Sequence, residues 1–201
     1  MITVALNRTP NAVLAGTGYL YYGELADGQT PEPAPANPPE DVSTDPGGNY
    51  EGLGFTDAGA NFEWDQSSED IVVAESATPI RTLWTEITYR LVTAAAQFEP
   101  RILKLALNGG TIDVQPGSPA YRSFTPPDLG DDKPVTLLFR FTNEFGHGSD
   151  LYVPLGKNTS TVSIPFARAP QKSVTALSWE FQAPPSGPVW KLSDYVGASV
   201  S

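Results

Sequence analysis

The chain has 201 residues with 20 Pro, 18 Gly and no Cys, and this composition predicts one domain of strands and turns over residues 1–201, without disulfides or thiolate chemistry. No apolar run is long enough to span a bilayer and residues 1–11 lack the features of a secretory leader, so we expect neither membrane insertion nor secretion. The net charge is −11, and residues 9–80 carry 13 acidic side chains and no Lys or Arg, which disfavours adhesive binding of nucleic acid.

A short aromatic strand is predicted over residues 13–23, and a long acidic loop follows it over residues 26–49. Prolines stiffen this loop toward polyproline II and exclude it from a central strand. A loop of this length is either a disordered insertion or a functional segment, and its acids serve either solubility or contact with a more basic face of the next copy. The second alternative makes six loop residues candidates for contact between subunits: Pro31, Pro35, Pro38, Glu40, Asp41 and Asp45.

Alternating apolar and polar residues predict four strands between the loop and the helix, at residues 50–56, 60–65, 71–74 and 83–93. Turns are predicted between them at residues 57–59 and 66–68, because Asp, Gly and Ser favour turns. The last of these strands shows the longest clean alternation, and it presents one apolar face and one mixed polar face.

A short helix is predicted next. Glu99 lies where an N-cap residue or a first-turn acid is expected, Pro100 suits the first helical position, and residues 108–110 (Asn-Gly-Gly) form a stop signal. Apolar residues recur at helical spacing, so we expect one side of the helix to pack on the sheet while Arg101 and Lys104 face solvent.

Strand signals return after the helix, at residues 111–115, 121–125, 135–142, 151–155, 162–166, 172–183 and 189–195. A tight turn at residues 156–158 is predicted to join the fourth and fifth of these segments as a hairpin. About ten strands and one helix predict an all-β fold, an antiparallel β-sandwich or barrel with one flanking α-helix.

No group of residues has the spacing of a catalytic or metal site. His147, Ser149 and Asp150 are triad residue types, but they lie too close in sequence to converge from separate segments. Glu63 and Asp65 could mimic the carboxylate pair of a hydrolase, but no facing carboxylate supports them. We therefore predict no enzyme activity, no cofactor and no metal. Four tryptophans support one alternative, a β-sandwich carbohydrate-binding or adhesion module with a stacking platform: Trp64, Trp84, Trp179 and Trp190.

Six segments follow one another in a distinctive order: 54–62 (GFTDAGANF), 69–73 (EDIVV), 79–81 (PIR), 85–88 (TEIT), 103–110 (LKLALNGG) and 177–183 (LSWEFQA). In order and composition they resemble the major tail tube proteins of long-tailed (siphovirus-like) bacteriophages. The resemblance extends over about half of the chain, and the proline-rich loop has no counterpart in it.

This resemblance implies a non-enzymatic structural subunit that forms homohexameric rings, stacked head to tail into a hollow conduit through which DNA passes without specific binding. Strands of neighbouring subunits would close an inner β-barrel, with the helix outside it. The polar faces of the strands before the helix then supply the candidates for the lumen: Glu63, Asp65, Glu86, Thr88 and Arg90.

The implied partners are a tape measure protein, a tail terminator and a distal tail protein. The implied location is the virion tail, after assembly in the bacterial host cytoplasm. Tail terminator and distal tail proteins share related β folds, so they remain alternative identities for the chain itself.

Overall fold

The computed structural model describes residues 18–25, 30–54, 56–71, 81–96, 99–117, 119–163 and 175–195. Within these ranges the chain forms one helix, α1 (Pro100–Ala106), and ten strands. The strands are β1 (Tyr19–Glu24), β2 (Tyr50–Gly52), β3 (Thr56–Ile71), β4 (Arg81–Ala95), β5 (Thr111–Gln115), β6 (Tyr121–Thr125), β7 (Val135–Thr142), β8 (Gly148–Asn158), β9 (Thr175–Phe181) and β10 (Lys191–Asp194).

Most strands belong to one antiparallel sheet with the order β2-β1-β7-β8-β9-β4-β3, and β10 pairs with β8 at its side. The strands β5 and β6 form a separate two-stranded sheet. The main strand order is open, with β2 at one end and β3 at the other. The predicted all-β antiparallel fold with one flanking helix is therefore confirmed, and within the described residues the sheet does not close into a barrel.

The hydrophobic core lies on one face of the main sheet, which we call the inner face. Leu91 pairs with Trp179 and both are fully buried, and Leu137 joins them from β7. The sheet curls around this core, because Phe62 of β3 and Phe139 of β7 line the same apolar groove of about 500 Å³. Strands from opposite ends of the sheet thus face each other across the core, as in a sandwich.

The helix begins and ends where the sequence predicts. Glu99 is the extended N-cap residue and Pro100 follows it, whereas Asn108 ends the helix in a left-handed conformation with a φ of 55°. Ile102 and Leu105 are buried in the core, so α1 covers part of the inner face. No helix in the described ranges is long and apolar enough to cross a membrane.

Two predicted turns are wrong, because residues 57–59 and 66–68 both lie within the 16-residue strand β3. The pairing of β3 with β4 shifts register between Thr56 and Ala60 and again between Ser67 and Ser68. Irregularities in the ladder accommodate these small and polar residues without ending the strand. The predicted strand at residues 71–74 reduces to the end of β3 at Ile71, and its remainder lies outside the described residues.

The predicted turn at residues 156–158 is also wrong, because β8 continues to Asn158. There it pairs with β9, which places Lys157 opposite Glu180. Of the strand predicted at residues 162–166, Val162 and Ser163 lie outside any strand, and residues 164–166 lie outside the described ranges. A long-range partner, β9, has replaced the local hairpin that the turn signal predicted.

Candidate functional site

The hairpin of β3 and β4 extends beyond the rest of the sheet. β4 pairs with β9 only from Arg90 to Ala95, and no other described strand lies beside the remainder of the hairpin. We call residues 65–71 and 81–88 the arm. Large apolar side chains are exposed on it, including Trp84 at 64% and Ile87 at 45%. The arm therefore offers a surface that the other described residues leave uncovered.

All five predicted lumen residues lie on one face of this hairpin. Glu63 pairs with Arg90 and Asp65 with Thr88. Glu86 is two residues from Thr88 along β4, so the two side chains share a face. This face is opposite to the one that carries the core, and we call it the outer face. Four of the five line a shallow depression of about 330 Å³. The structure thus brings the five together away from the core, and their position in a lumen remains a prediction.

A row of opposite charges crosses the outer face at the base of the arm. Arg90 of β4 lies opposite Glu63 on one side and Glu180 on the other, and its Nη2 is 3.7 Å from Glu180 Oε2. Lys157 is the next residue across, opposite Glu180, and it donates a short hydrogen bond to Asp132. This bond from Lys157 holds the pKa of Asp132 below its usual range. These five residues are the charge row, and their signs alternate along it.

The outer face over β1, β7 and β8 is covered by the chain itself. Residues 30–49, which we call the strap, run across these strands and bond to them. The Glu32 amide donates to Thr136 Oγ1 at 3.0 Å, and the Tyr152 hydroxyl donates to the Glu32 carbonyl at 2.8 Å. The Gly148 amide donates to the Pro39 carbonyl at 3.1 Å. The acidic, proline-rich loop is thus ordered by contacts with its own sheet.

A buried ion pair lies beneath the strap. Arg140 of β7 is 1% exposed and Asp150 of β8 is 3% exposed. Two parallel hydrogen bonds join them, Nε to Oδ1 at 2.7 Å and Nη2 to Oδ2 at 2.8 Å. The remaining guanidinium nitrogen, Nη1, donates to the Thr44 carbonyl of the strap. Bidentate geometry together with this third bond makes burial of two charges tolerable, and it ties the strap to the sheet.

The predicted contact residues of the loop divide into two groups. The three prolines are half-buried, whereas the three acids are exposed. Asp41 accepts hydrogen bonds from the amide and the hydroxyl of Ser43, which hold its pKa below the usual range, and Asp45 accepts one from the Gly47 amide. These bonds shape turns within the strap. Contact of the six residues with a neighbouring copy remains a prediction: Pro31, Pro35, Pro38, Glu40, Asp41 and Asp45.

The three residues whose types match a catalytic triad, His147, Ser149 and Asp150, contact separate partners. The His147 ring packs edge-on against Tyr195 with 5.1 Å between centroids, and the Ser149 hydroxyl donates to the Asp194 carboxylate. Asp150 is committed to the buried Arg140. In the part of the chain that the structure describes, no three His, Cys, Asp or Glu side chains are grouped so that they could hold a metal.

The four tryptophans do not form one platform. Trp179 is fully buried, and Trp190 packs in an aromatic cluster with Phe62 and Tyr89. Only Trp64 and Trp84, on the hairpin, are exposed, each at 64%. Two of the four tryptophans therefore pack in or against the core of the fold.

Sequence reasoning missed several residues of this outer face. Glu180 and Lys157 complete the charge row, and Arg140 with Asp150 forms the buried pair. A weak signal existed for Arg140, because a lone arginine interrupts the apolar residues of its strand. The other three gave none, because their roles depend on pairing between distant strands.

Comparison with known proteins identifies one family. A family model described as phage tail tube protein matches residues 4–178. Among solved structures, the chain is similar to one from the cryo-EM structure of the anti-feeding prophage (AFP) baseplate, 6-fold symmetrised. Sequence identity is 10%, 94% of this chain and 97% of the other are covered, and the TM-score is 0.44. No curated protein matches the sequence.

Proposed function

Because the chain belongs to the phage tail tube protein family, we propose that it is the structural subunit of a tail tube in which homohexameric rings stack head to tail into a conduit for DNA. It is a structural protein of the phage tail, and its place is the tail of the virion. The proposal adds that residues 1–201 form one tube domain without enzymatic activity and that the phage is long-tailed. It also includes assembly in the host cytoplasm around a tape measure protein, between a tail terminator and a distal tail protein.

The observation that carries the proposal is the uneven cover of the outer face. The strap covers this face over β7 and β8, whereas none of the other described residues covers the polar part formed by β9, β4 and β3. The 16-residue strand β3 also has a free edge within the described part of the sheet. A long free edge is a liability in a monomer, and pairing between subunits in a closed ring removes it.

The bare part of the outer face has the chemistry expected of a wall along which DNA slides. Its candidate residues are Glu63, Asp65, Glu86, Thr88 and Arg90, which are mainly acidic or neutral. An acidic wall repels the phosphate backbone, and each copy contributes a net charge of −11. The exposed apolar residues of the arm and the acids of the strap are then surfaces for neighbouring copies.

Electron microscopy of the purified chain at rising concentration tests the assembly. Tubes or rings with six-fold symmetry are the expected result. A compact monomer at every concentration would contradict the proposal. Single rings that never stack would favour the tail terminator or distal tail protein instead.

The lack of native cysteine allows a test of the wall itself. Thr88→Cys places a single thiol on the bare part of the outer face. In dispersed subunits this thiol should react both with a small maleimide and with one attached to a bulky protein. In tubes the small reagent should still react while the bulky one is excluded. Reaction with the bulky reagent in intact tubes would place Thr88 on the outside and overturn the lumen assignment.

The carbohydrate-binding alternative rests on the two exposed tryptophans, Trp64 and Trp84. It predicts that saccharides quench tryptophan fluorescence in a saturable titration. The tube proposal predicts no saturable quenching.

A further inference from the structure

The charge row contains cations that are flanked by carboxylates on both sides. Arg90 lies between Glu63 and Glu180, and its closest approach to Glu180 is 3.7 Å. Lys157 is likewise placed between Glu180 and Asp132. The side chains of the Arg90–Glu180 and Lys157–Asp132 ion pairs are 34% to 41% exposed. The cations are therefore within reach of a molecule that approaches this face, but carboxylates flank each of them.

Such flanking changes how a cation meets nucleic acid. Proteins hold the DNA backbone mainly through Lys and Arg contacts to phosphates, and this attraction needs neither a sequence nor a built pocket. A carboxylate on each side neutralises the cation and repels the phosphate that would contact it. A wall with unflanked cations would retain DNA, whereas a wall with flanked cations would release it.

We propose that Glu63 and Glu180 screen Arg90 from the phosphates of passing DNA, and that this screening, rather than the net charge of the chain alone, keeps the wall from retaining duplex DNA. The inference rests on the proposed function, because it places the charge row in the bore. Arg90 then has a structural role across three strands, and its two carboxylates prevent that role from becoming a brake on DNA.

The test compares tubes that are assembled in the presence of a short duplex DNA and then treated with nuclease, so that only DNA inside the bore is protected. The main variant is Glu63→Gln with Glu180→Gln, which removes both flanking charges. The matched control is Asp113→Asn with Glu144→Gln, which changes the net charge equally at two exposed positions away from the row. A third variant adds Arg90→Gln to the main one.

The main variant should protect about tenfold more DNA than wild type at low salt. In a plot of the logarithm of protected DNA against the logarithm of salt concentration, its slope should be steeper by about one unit for each phosphate that the freed Arg90 contacts. The matched control and the variant that also lacks Arg90 should remain near wild type. If the main variant fails to assemble, Glu180→Gln alone, which removes the carboxylate of the 3.7 Å pair and leaves Glu63 in place, should give the same change at smaller amplitude.

Two failures are distinguishable. If all chains form tubes and the matched control retains as much DNA as the main variant, net charge is the cause and the screening inference is wrong, while the tube proposal stands. Equal retention by the main variant and the one without Arg90 would also overturn the inference. If wild type forms no tube at any concentration, the tube proposal fails, and the inference fails with it.

Discussion

Replacing Asp150 with asparagine should destabilise the fold more than any change at an exposed charge. The substitution keeps the size and shape of the side chain but removes its charge. Arg140, which is 1% exposed, then remains charged beneath the strap without a carboxylate partner. The amide of the new side chain also cannot accept both of the guanidinium hydrogen bonds, at 2.7 and 2.8 Å, that the carboxylate accepts.

The expected cost follows from burial. Breaking a buried ion pair by removing one partner costs about 3–5 kcal/mol, against a total stability of about 5–15 kcal/mol for a domain. For a chain of this size, that loss lowers the melting temperature by about 6–20 °C. By contrast, the Arg90–Glu180 pair is partly exposed on both sides, so Arg90→Gln should cost no more than about 1 kcal/mol.

Urea and thermal unfolding, followed by tryptophan fluorescence to which the buried Trp179 contributes, measure both variants. A cost below about 1 kcal/mol for Asp150→Asn would refute the reasoning, because it would mean that Arg140 is solvated or finds another partner. The double variant Arg140→Met with Asp150→Leu separates charge from packing. It should regain most of the lost stability, while amide hydrogens such as that of Gly148, which donates to the strap, should exchange faster once Arg140 no longer holds Thr44.

Two further predictions concern stability. Asn158→Ala should lower the free energy of urea unfolding by about 2–4 kcal/mol. The buried Asn158 side-chain amide donates to the Ala106 carbonyl and accepts from the Ser178 amide, and both backbone groups would lose this partner. A loss under about 1 kcal/mol would contradict this role. Burial raises the pKa of Tyr22 and of Tyr50 well above the value of about 10 in an unfolded chain, so their contribution to stability is complete below about pH 10 and is lost as the pH rises further. Tyr50→Phe should therefore make the free energy of unfolding fall less steeply at alkaline pH. If the dependence of this free energy on pH is unchanged, the buried Tyr50 does not contribute to the alkaline decline.

Local signals in the sequence predicted most elements correctly. The helix is confirmed at both ends, because the start signal at Pro100 and the stop signal at Asn108 act on the residues next to them in the chain. Strands β7 and β9 are confirmed because each carries a clean alternation with one side facing the core. These patterns depend only on residues within one element.

The errors have one common cause. Polar and small residues at 57–59, 66–68 and 156–158 were interpreted as turns, yet all three lie within strands. Residues 66–68 lie in the arm, where the side chains are exposed, and an exposed strand carries the same residue types as a loop. Only a partner strand decides that such a segment continues, and for residues 156–158 that partner is β9, which is distant in sequence.

The fold class, the helix, the acidic balance and the resemblance to tail tube proteins could be predicted without coordinates, because they depend on composition and on patterns within single segments. The tertiary structure alone decided which charges meet. It placed Arg90 between Glu63 and Glu180 and laid the strap over Arg140 and Asp150. The reason is that register between strands arises from long-range pairing, and a slip of one residue would move every side chain to the opposite face.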